Sequence, residues 1–133
     1  MLLIRDATPD DGELLARLDM EVFPLNCFNE KTLGTAVGKG GGYIAFINDE
    51  PVGYTVFCTS QGLVDIIRLG VLEPVRCQGL GKALLILAKR HARVAMLTVL
   101  KGNEPAIHIY KDHGFEIVGE LPQADSWVMK TSA

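Results

Sequence analysis

The sequence predicts an α/β (α+β) domain built on one mixed sheet. Of its 133 residues, 48% are hydrophobic and only 22% are charged, the composition of a chain that buries a core. Short apolar runs bounded by turn residues alternate with longer runs of helical period. Because some of the predicted strands are joined by tight turns and others by helices, the sheet should contain both antiparallel and parallel neighbours. We expect a single domain over residues 1–133.

The N-terminal part of the chain is predicted to form one strand and one helix. The strand covers residues 2–5. Thr8, Pro9 and Asp11 then supply a hydroxyl cap, a proline in the first turn and an acid three residues after the cap. These signals predict a helix that runs to about Val22, with its leucines on one face.

The middle of the chain is predicted to form a second helix and three strands. The helix covers residues 29–37, and the glycine-rich run 38–42 after it is expected to be a flexible connector. The turn-rich tetrad 48–51 predicts a hairpin between the first two strands. The three strands cover residues 43–47, 52–59 and 63–71.

The C-terminal part of the chain is predicted to alternate helices and strands. A helix covers residues 79–93 and a strand follows over 95–100. Asn103 caps the next helix, which stops before Gly114. Two last strands cover residues 115–119 and 127–130.

Charge and cysteine content restrict the protein class. A net charge of −3 gives no electrostatic drive for binding nucleic acid, and the apolar runs are too short to span a membrane. The three cysteines, Cys27, Cys58 and Cys77, show neither paired nor metal-like spacing. No export signal opens the chain. These features predict a cytoplasmic protein with neither nucleic-acid nor membrane partners. We expect a monomer or a homodimer.

The segment from Arg76 to Lys82 is the most informative motif. It joins a predicted strand to a predicted helix through Gly79 and Gly81. Backbone N–H groups converge where such a loop opens a helix, and the helix dipole adds positive potential there. The segment therefore predicts an anion site, although the glycine pair could simply permit a tight turn.

Two motifs resemble those of a known family. Arg76, Gly79 and Gly81, at their spacing, resemble the acetyl-CoA signature of the GCN5-related N-acetyltransferases (GNAT superfamily). A second pattern of that superfamily matches Asn103, Ala106, Tyr110, Gly114 and Phe115. Residues 4–11 are also typical of it. The resemblance covers nearly the whole chain and implies a mixed, mostly antiparallel sheet of six or seven strands with about four helices.

This resemblance implies acetyl-CoA as cosubstrate and no metal. The amides of residues 77–82 would bind the pyrophosphate, while Leu69 and Val71 would contact the pantetheine and acetyl groups through their backbones. Asn103 either contacts the cofactor or is an ordinary helix cap. The expected cofactor-binding residues are Leu69, Gly70, Val71, Arg76, Cys77, Gln78, Gly79, Leu80, Gly81, Lys82 and Asn103.

Tyr110 and Asp65 are the candidate catalytic residues. Tyr110 lies two turns after Asn103, so its phenol could donate a proton to the departing thiolate, or it could be a packed tyrosine. Asp65 matches the position at which histone-type members carry a glutamate base. Asp65 lies six residues before Val71 on the same strand, so the period of two predicts that both side chains lie on one face. The alternative is an exposed aspartate with no catalytic role.

The acceptor is the least determined part of the prediction. Phe23, Pro24 and residues 29–33 resemble the acceptor loop of RimI-type enzymes, which acetylate the N-terminal alanine of a ribosomal protein. Thr98, however, occupies the position of their glutamate base, and residues 121–126 lack their paired tyrosines. We predict direct transfer, in a ternary complex, to a primary amine. A protein N-terminus is preferred over a small-molecule amine, and a non-catalytic acyl-CoA-binding regulator is the other alternative.

Overall fold

A computed structural model describes residues 1–76 and 78–132. The helices and strands occur in the predicted order. The strands are β1 (Leu2–Asp6), β2 (Gly40–Ile47), β3 (Glu50–Ser60), β4 (Leu63–Val71), β5 (Val94–Leu100), β6 (Phe115–Leu121) and β7 (Ser126–Thr131). The helices are α1 (Gly12–Val22), α2 (Glu30–Lys39), α3 (Leu80–Lys89) and α4 (Glu104–Asp112).

The seven strands form one sheet in the order β1-β2-β3-β4-β5-β7-β6. β4 and β5 run parallel, and the other neighbouring strands are antiparallel. The predicted fold class is therefore confirmed. The parallel pair arises because α3 returns the chain across one face of the sheet between β4 and β5.

Tight turns explain the two hairpins of the central sheet. Asn48 and Asp49 have φ of 49° and 70°, and Gln61 and Gly62 have φ of 51° and 80°. Two successive residues with positive φ match the right-handed twist of a hairpin, and Asn, Asp and Gly adopt that region most easily. The predicted hairpin at residues 48–51 is confirmed.

The glycine-rich run 38–42 is not a flexible connector, and that prediction is wrong. Its first two residues end α2, and Gly40, Gly41 and Gly42 begin β2 opposite β3. A Cβ on Gly40 would lie 2.1 Å from the Phe57 carbonyl oxygen, and one on Gly42 would lie 2.7 Å from the Thr55 carbonyl oxygen. The glycines are needed because the two backbones approach too closely for side chains.

The helices cover opposite faces of the sheet. α1 and α2 pack on one face, around the buried residues Leu15, Leu33 and Val56. α3 and α4 pack on the other face, where Leu85 and Ile107 belong to the same apolar cluster. No helix among the described residues combines the length and apolar character needed to cross a membrane. The sequence predicted a helix that ends near residue 93, but α3 ends at Lys89.

Candidate active site

The strands β4 and β5 separate at the centre of the sheet. Their parallel pairing runs from Leu63 and Val94 to Ile66 and Leu97 and stops there. β4 continues to Val71 and β5 to Leu100. Residues 68–71 of β4 are paired with β3 on one edge only, so the backbone on the other edge is free to bind an extended ligand.

The predicted anion loop lies at the end of this open strand edge. Gly79, at the N-cap of α3, has φ of +81°, a left-handed conformation that favours glycine. The first amide of α3 that donates a helical hydrogen bond within the described chain is that of Ala83, to the Gly79 carbonyl. The preceding amides thus point outward at the positive end of the helix dipole, an arrangement that binds anions.

The side chains of this loop differ in what they contact. Gln78 and Lys82 are exposed, whereas Leu80 is buried in the core beneath the loop. Arg76 donates from Nε to the Val71 carbonyl oxygen at 2.8 Å, which ties the loop to the end of β4. A Cβ on Gly81 would meet only Val71 Cγ2, at 3.8 Å, so the backbone conformation favours glycine at position 79 but not at 81. The prediction for Cys77 lies outside the described residues.

The end of β4 combines an open backbone with a covered face. Leu69 and Val71 are half-buried and pack toward α3. Gly70 is buried, and a Cβ there would lie 2.7 Å from Cε1 of Tyr54. The strand therefore lies close to the ring of Tyr54 because position 70 has no side chain.

Tyr110 lies on the face covered by α3 and α4. Asn103 caps α4 by accepting a hydrogen bond from the Ala106 amide at 3.4 Å. Tyr110, two turns further on, is 9% exposed and belongs to the apolar cluster against which Leu69 packs. Burial raises the pKa of the Tyr110 phenol to about 12, so the group is protonated at neutral pH. The geometry of α4 suits a proton donor as well as a packed ring.

Asp65 does not share a face with Val71, and that prediction is wrong. In the pairing of β3 with β4, Asp65 lies opposite Cys58 and Arg68 lies opposite Val56. One residue of β3 separates Cys58 from Val56, whereas two residues of β4 separate Asp65 from Arg68. The extra residue, Ile67, is a β-bulge that reverses the alternation of side chains beyond it. Asp65 consequently faces α1 and α2, while Leu69 and Val71 face α3.

The environment of Asp65 suits a base on the α1 and α2 face of the sheet. Asp65 is half-buried, and loss of solvent raises the pKa of its carboxyl group. It is paired with Met96 of β5, and Thr98, two residues further along, is exposed on the same face. Among the described residues, no helix covers this part of the face. Leu100 and Leu121, which lie on it, are 50% and 37% exposed. An open surface therefore lies beside the gap between β4 and β5, with the half-buried Asp65 next to the gap and the exposed Glu116 further out on β6.

The loop between α1 and α2 borders this open surface through a buried polar cluster that sequence reasoning missed. Asp19 is fully buried, and Arg68 Nε lies 3.2 Å from its Oδ1. The Arg68 guanidinium lies 4.4 Å from the ring centroid of Phe23 and 4.3 Å from that of Phe28. The available signal was Asp19 itself, an acid on the apolar stripe of α1 one residue after the buried Leu18.

The described residues contain no group of three or more His, Cys, Asp or Glu side chains placed to hold a metal ion. The Nε2 of His91 lies 2.6 Å from the Tyr43 hydroxyl oxygen and its ring centroid 4.5 Å from that of Phe57, so His91 packs the turn after α3 against the sheet. His108 is exposed beside Asp112.

Comparisons with known proteins agree with this geometry. The model of the acetyltransferase (GNAT) family matches residues 7–115. N-alpha-acetyltransferase 50 of Danio rerio is 31% identical over 125 residues, which cover 85% of this chain and 73% of the relative.

Two solved structures illustrate the similarity in fold. Arabidopsis thaliana Naa50, in complex with the bisubstrate analogue CoA-Ac-MVNAL, has a TM-score of 0.85 at 27% identity and covers 99% of both chains. The ribosomal-protein-S18-alanine N-acetyltransferase of Escherichia coli has a TM-score of 0.85 at 19% identity, with 98% of this chain and 93% of that one covered. At that identity the second likeness shows the fold alone.

Proposed function

The chain belongs to the acetyltransferase (GNAT) family, and from that premise we propose that it acetylates the N-terminal amine of a protein or peptide. It is an acetyl-CoA-dependent N-acetyltransferase. The observation that carries the acceptor is the 31% identity with N-alpha-acetyltransferase 50. The analogue bound to Arabidopsis Naa50 supports it, because that analogue joins CoA through an acetyl group to MVNAL, a sequence that begins with methionine.

We propose that the donor binds along the open edge of β4 and the start of α3. The outward amides of residues 78–82 would hold the pyrophosphate, with Arg76 and Lys82 adding positive charge beside it. The free backbone of Leu69, Gly70 and Val71 would hold the pantetheine and the acetyl carbonyl. Asn103 supports this arrangement by capping α4.

Transfer then needs one proton donor and one proton acceptor. The amine nitrogen attacks the thioester carbonyl carbon, a C–N bond forms, and the tetrahedral intermediate collapses with cleavage of the C–S bond. We assign protonation of the departing thiolate to Tyr110, whose pKa of about 12 keeps the phenol protonated at neutral pH. The proton lost by the nitrogen goes to Asp65, directly or through a water molecule.

The demand on the base favours an N-terminal amine. At pH 7, deprotonating an α-amine of pKa about 7.8 costs about 1 kcal/mol, whereas a lysine of pKa about 10.4 costs about 4.6 kcal/mol. Thr98 offers no carboxylate on β5, and Asp65 is the remaining acid on that face of the two strands. A half-buried aspartate meets the smaller demand more readily than the larger one.

A thiol-release assay with acetyl-CoA tests this function. The acceptors are a Met-starting peptide, an Ala-starting peptide, the same peptides with blocked N-termini and one internal lysine, and a polyamine. We expect release with free N-termini and none with blocked ones. Turnover of the polyamine alone would instead indicate a small-molecule enzyme, and tight CoA binding without any turnover would indicate a regulator.

We further propose a cytoplasmic location, since Cys27 and Cys58 are both free thiols in the fold, as a reducing compartment permits. Mapping both thiols with an alkylating reagent in intact cells tests this, and oxidised thiols would contradict it.

A further inference from the structure

A single buried carboxylate, that of Asp19 in α1, connects four parts of the fold: α1, β3, β4 and the α1–α2 loop. Asp19 accepts a hydrogen bond from the Tyr54 hydroxyl of β3 and another, at 2.8 Å, from the Phe28 amide at the end of the loop. Arg68 of β4 is its counter-ion. One helix, two strands and the loop therefore share Asp19 as their common acceptor.

Arg68 makes most of its contacts with the α1–α2 loop. Its guanidinium lies between the rings of Phe23 and Phe28, and its Nη2 donates a hydrogen bond to the Asn26 carbonyl oxygen. Its Nε is buried against Asp19 without a well-aligned hydrogen bond to any described residue. The side chain thus joins both ends and the middle of the loop to β4.

This arrangement is poorly explained by stability alone. A buried ion pair often contributes no more than apolar residues of similar volume would, because both ions lose their hydration. The planar guanidinium, by contrast, can stack on two rings and donate in its own plane at the same time, which fixes geometry. The contacts of Arg68 are therefore suited to holding the loop in one position.

The position that Arg68 fixes lies next to the reacting groups. Arg68 immediately precedes Leu69, the first residue of the proposed acetyl-binding segment, and the bulge at Ile67 turns it to the same face as Asp65. The loop it holds exposes Leu25 almost completely and Phe28 in part, and β4 is followed in the sheet by β5, β7 and β6, whose surface is uncovered. An acceptor that reaches Asp65 would pass between this loop and that surface.

We propose that Arg68 is the positioning residue for the acceptor: by fixing the loop 23–28 on β4, it sets the apolar wall against which the first residues of the acceptor pack. This proposal rests on the proposed function. According to this proposal, Arg68 affects the affinity for the acceptor. It affects neither the affinity for the donor nor the rate of the chemical step.

The test compares Arg68→Lys with Arg5→Lys. Arg68→Lys keeps a cation for Asp19 but cannot stack on both rings while reaching Asn26. Arg5 is a matched control, because it is also paired with an aspartate, Asp11, and stacks on an aromatic ring at 5.3 Å, but in the edge strand β1. We expect Arg68→Lys to raise the KM for a Met-starting peptide at least about tenfold, or about 1.4 kcal/mol. The kcat and the Kd for acetyl-CoA should stay within about twofold, and Arg5→Lys should change none of them.

A second variant and a second measurement keep the proposal testable. Phe28→Leu removes one of the two stacked rings from an exposed position, and it should raise the same KM without changing acetyl-CoA binding. Amide hydrogen exchange should show faster exchange of the Phe28 amide in Arg68→Lys than in Arg5→Lys. Unchanged KM and unchanged exchange in Arg68→Lys would overturn the proposal, and so would equal losses in kcat and donor binding.

These results separate this proposal from the proposed function. If the wild-type enzyme uses another amine, the proposed acceptor is wrong, and the KM comparison is made with that amine. If it turns over no acceptor, hydrogen exchange of the loop alone decides whether Arg68 holds it.

Discussion

Replacing Gly79 with aspartate and with asparagine isolates the electrostatic contribution of the anion loop. A Cβ at this position meets no atom within 4 Å, so neither side chain clashes with the fold. The φ of +81° strains any side chain, but asparagine and aspartate are the non-glycine residues that tolerate it best. The two variants therefore share a similar conformational cost and differ by one negative charge.

The structure sets the size of the expected effect. A carboxylate about 4 Å from a phosphate charge is repelled by ~1 kcal/mol in bulk water and by ~4 kcal/mol at the effective dielectric constant near a protein surface. Because Gly79 is exposed, the lower end applies to each charge. With about two charges on the pyrophosphate, we expect a loss of ~2 to 4 kcal/mol.

The assay is titration calorimetry of acetyl-CoA with the wild type, Gly79→Asn and Gly79→Asp. The aspartate variant should bind between about 30-fold and 1,000-fold more weakly than the asparagine variant, and the gap should narrow at high salt. Thermal unfolding without ligand is the control: the φ of +81° should cost both variants some stability relative to the wild type, but an acid at the start of α3 interacts favourably with the helix dipole, so Gly79→Asp should be no less stable than Gly79→Asn. Equal affinities of the two variants would refute the assignment of this loop to the pyrophosphate.

Three further substitutions test the remaining groups. Tyr110→Phe keeps the ring in its cluster and removes the proton donor, so kcat should fall about 10²-fold while the Kd for acetyl-CoA hardly changes; equal turnover would exclude Tyr110 from the chemistry. Asp65→Asn should lower kcat/KM. It should also remove the fall in kcat/KM at acidic pH that protonation of Asp65 causes in the wild type. Because the folded state raises the pKa of Asp65, its ionisation at pH 7 disfavours folding, so urea unfolding should show no loss of stability in this variant. Asp11→Asn should cost about 1 kcal/mol at pH 7. Hydrogen bonding from Arg5 lowers the pKa of Asp11 to about 2 from 3.8, so in urea unfolding this difference should persist down to about pH 4 and shrink as the pH falls toward 2; a constant difference would contradict the ion pair.

Local signals in the sequence predicted the elements of this fold well. Asn103 caps α4 as its position after β5 indicates, and Asn48 and Asp49 form the expected hairpin. Such features depend on residues a few positions apart, whose preferences are visible in the chain itself. The order of helices and strands followed from them.

Features that depend on distant residues could not be predicted in the same way. The bulge at Ile67 exists only in the register between β3 and β4, and nothing in the alternation of β4 reveals it. Asp19 and Arg68 are 49 positions apart, and neither residue alone indicates that the two form a buried pair. Gly40–Gly42 resembled a connector because the close approach of β3 is a property of the pairing.

The bulge at Ile67 also has an evolutionary consequence. Because of it, β4 presents Asp65 and Arg68 to the proposed acceptor side of the sheet, and Leu69 and Val71 to the proposed donor side. If these assignments hold, substitutions on one side can alter acceptor choice without touching the groups proposed to hold the donor. A change in the length of β4 has a larger effect. Deleting one residue between Asp65 and Leu69 would move every side chain of β4 before or after the deletion to the opposite face of the sheet. New acceptor specificities should therefore arise in this lineage by substitution in β4 and by insertion in the neighbouring loops, while the number of residues in β4 stays fixed.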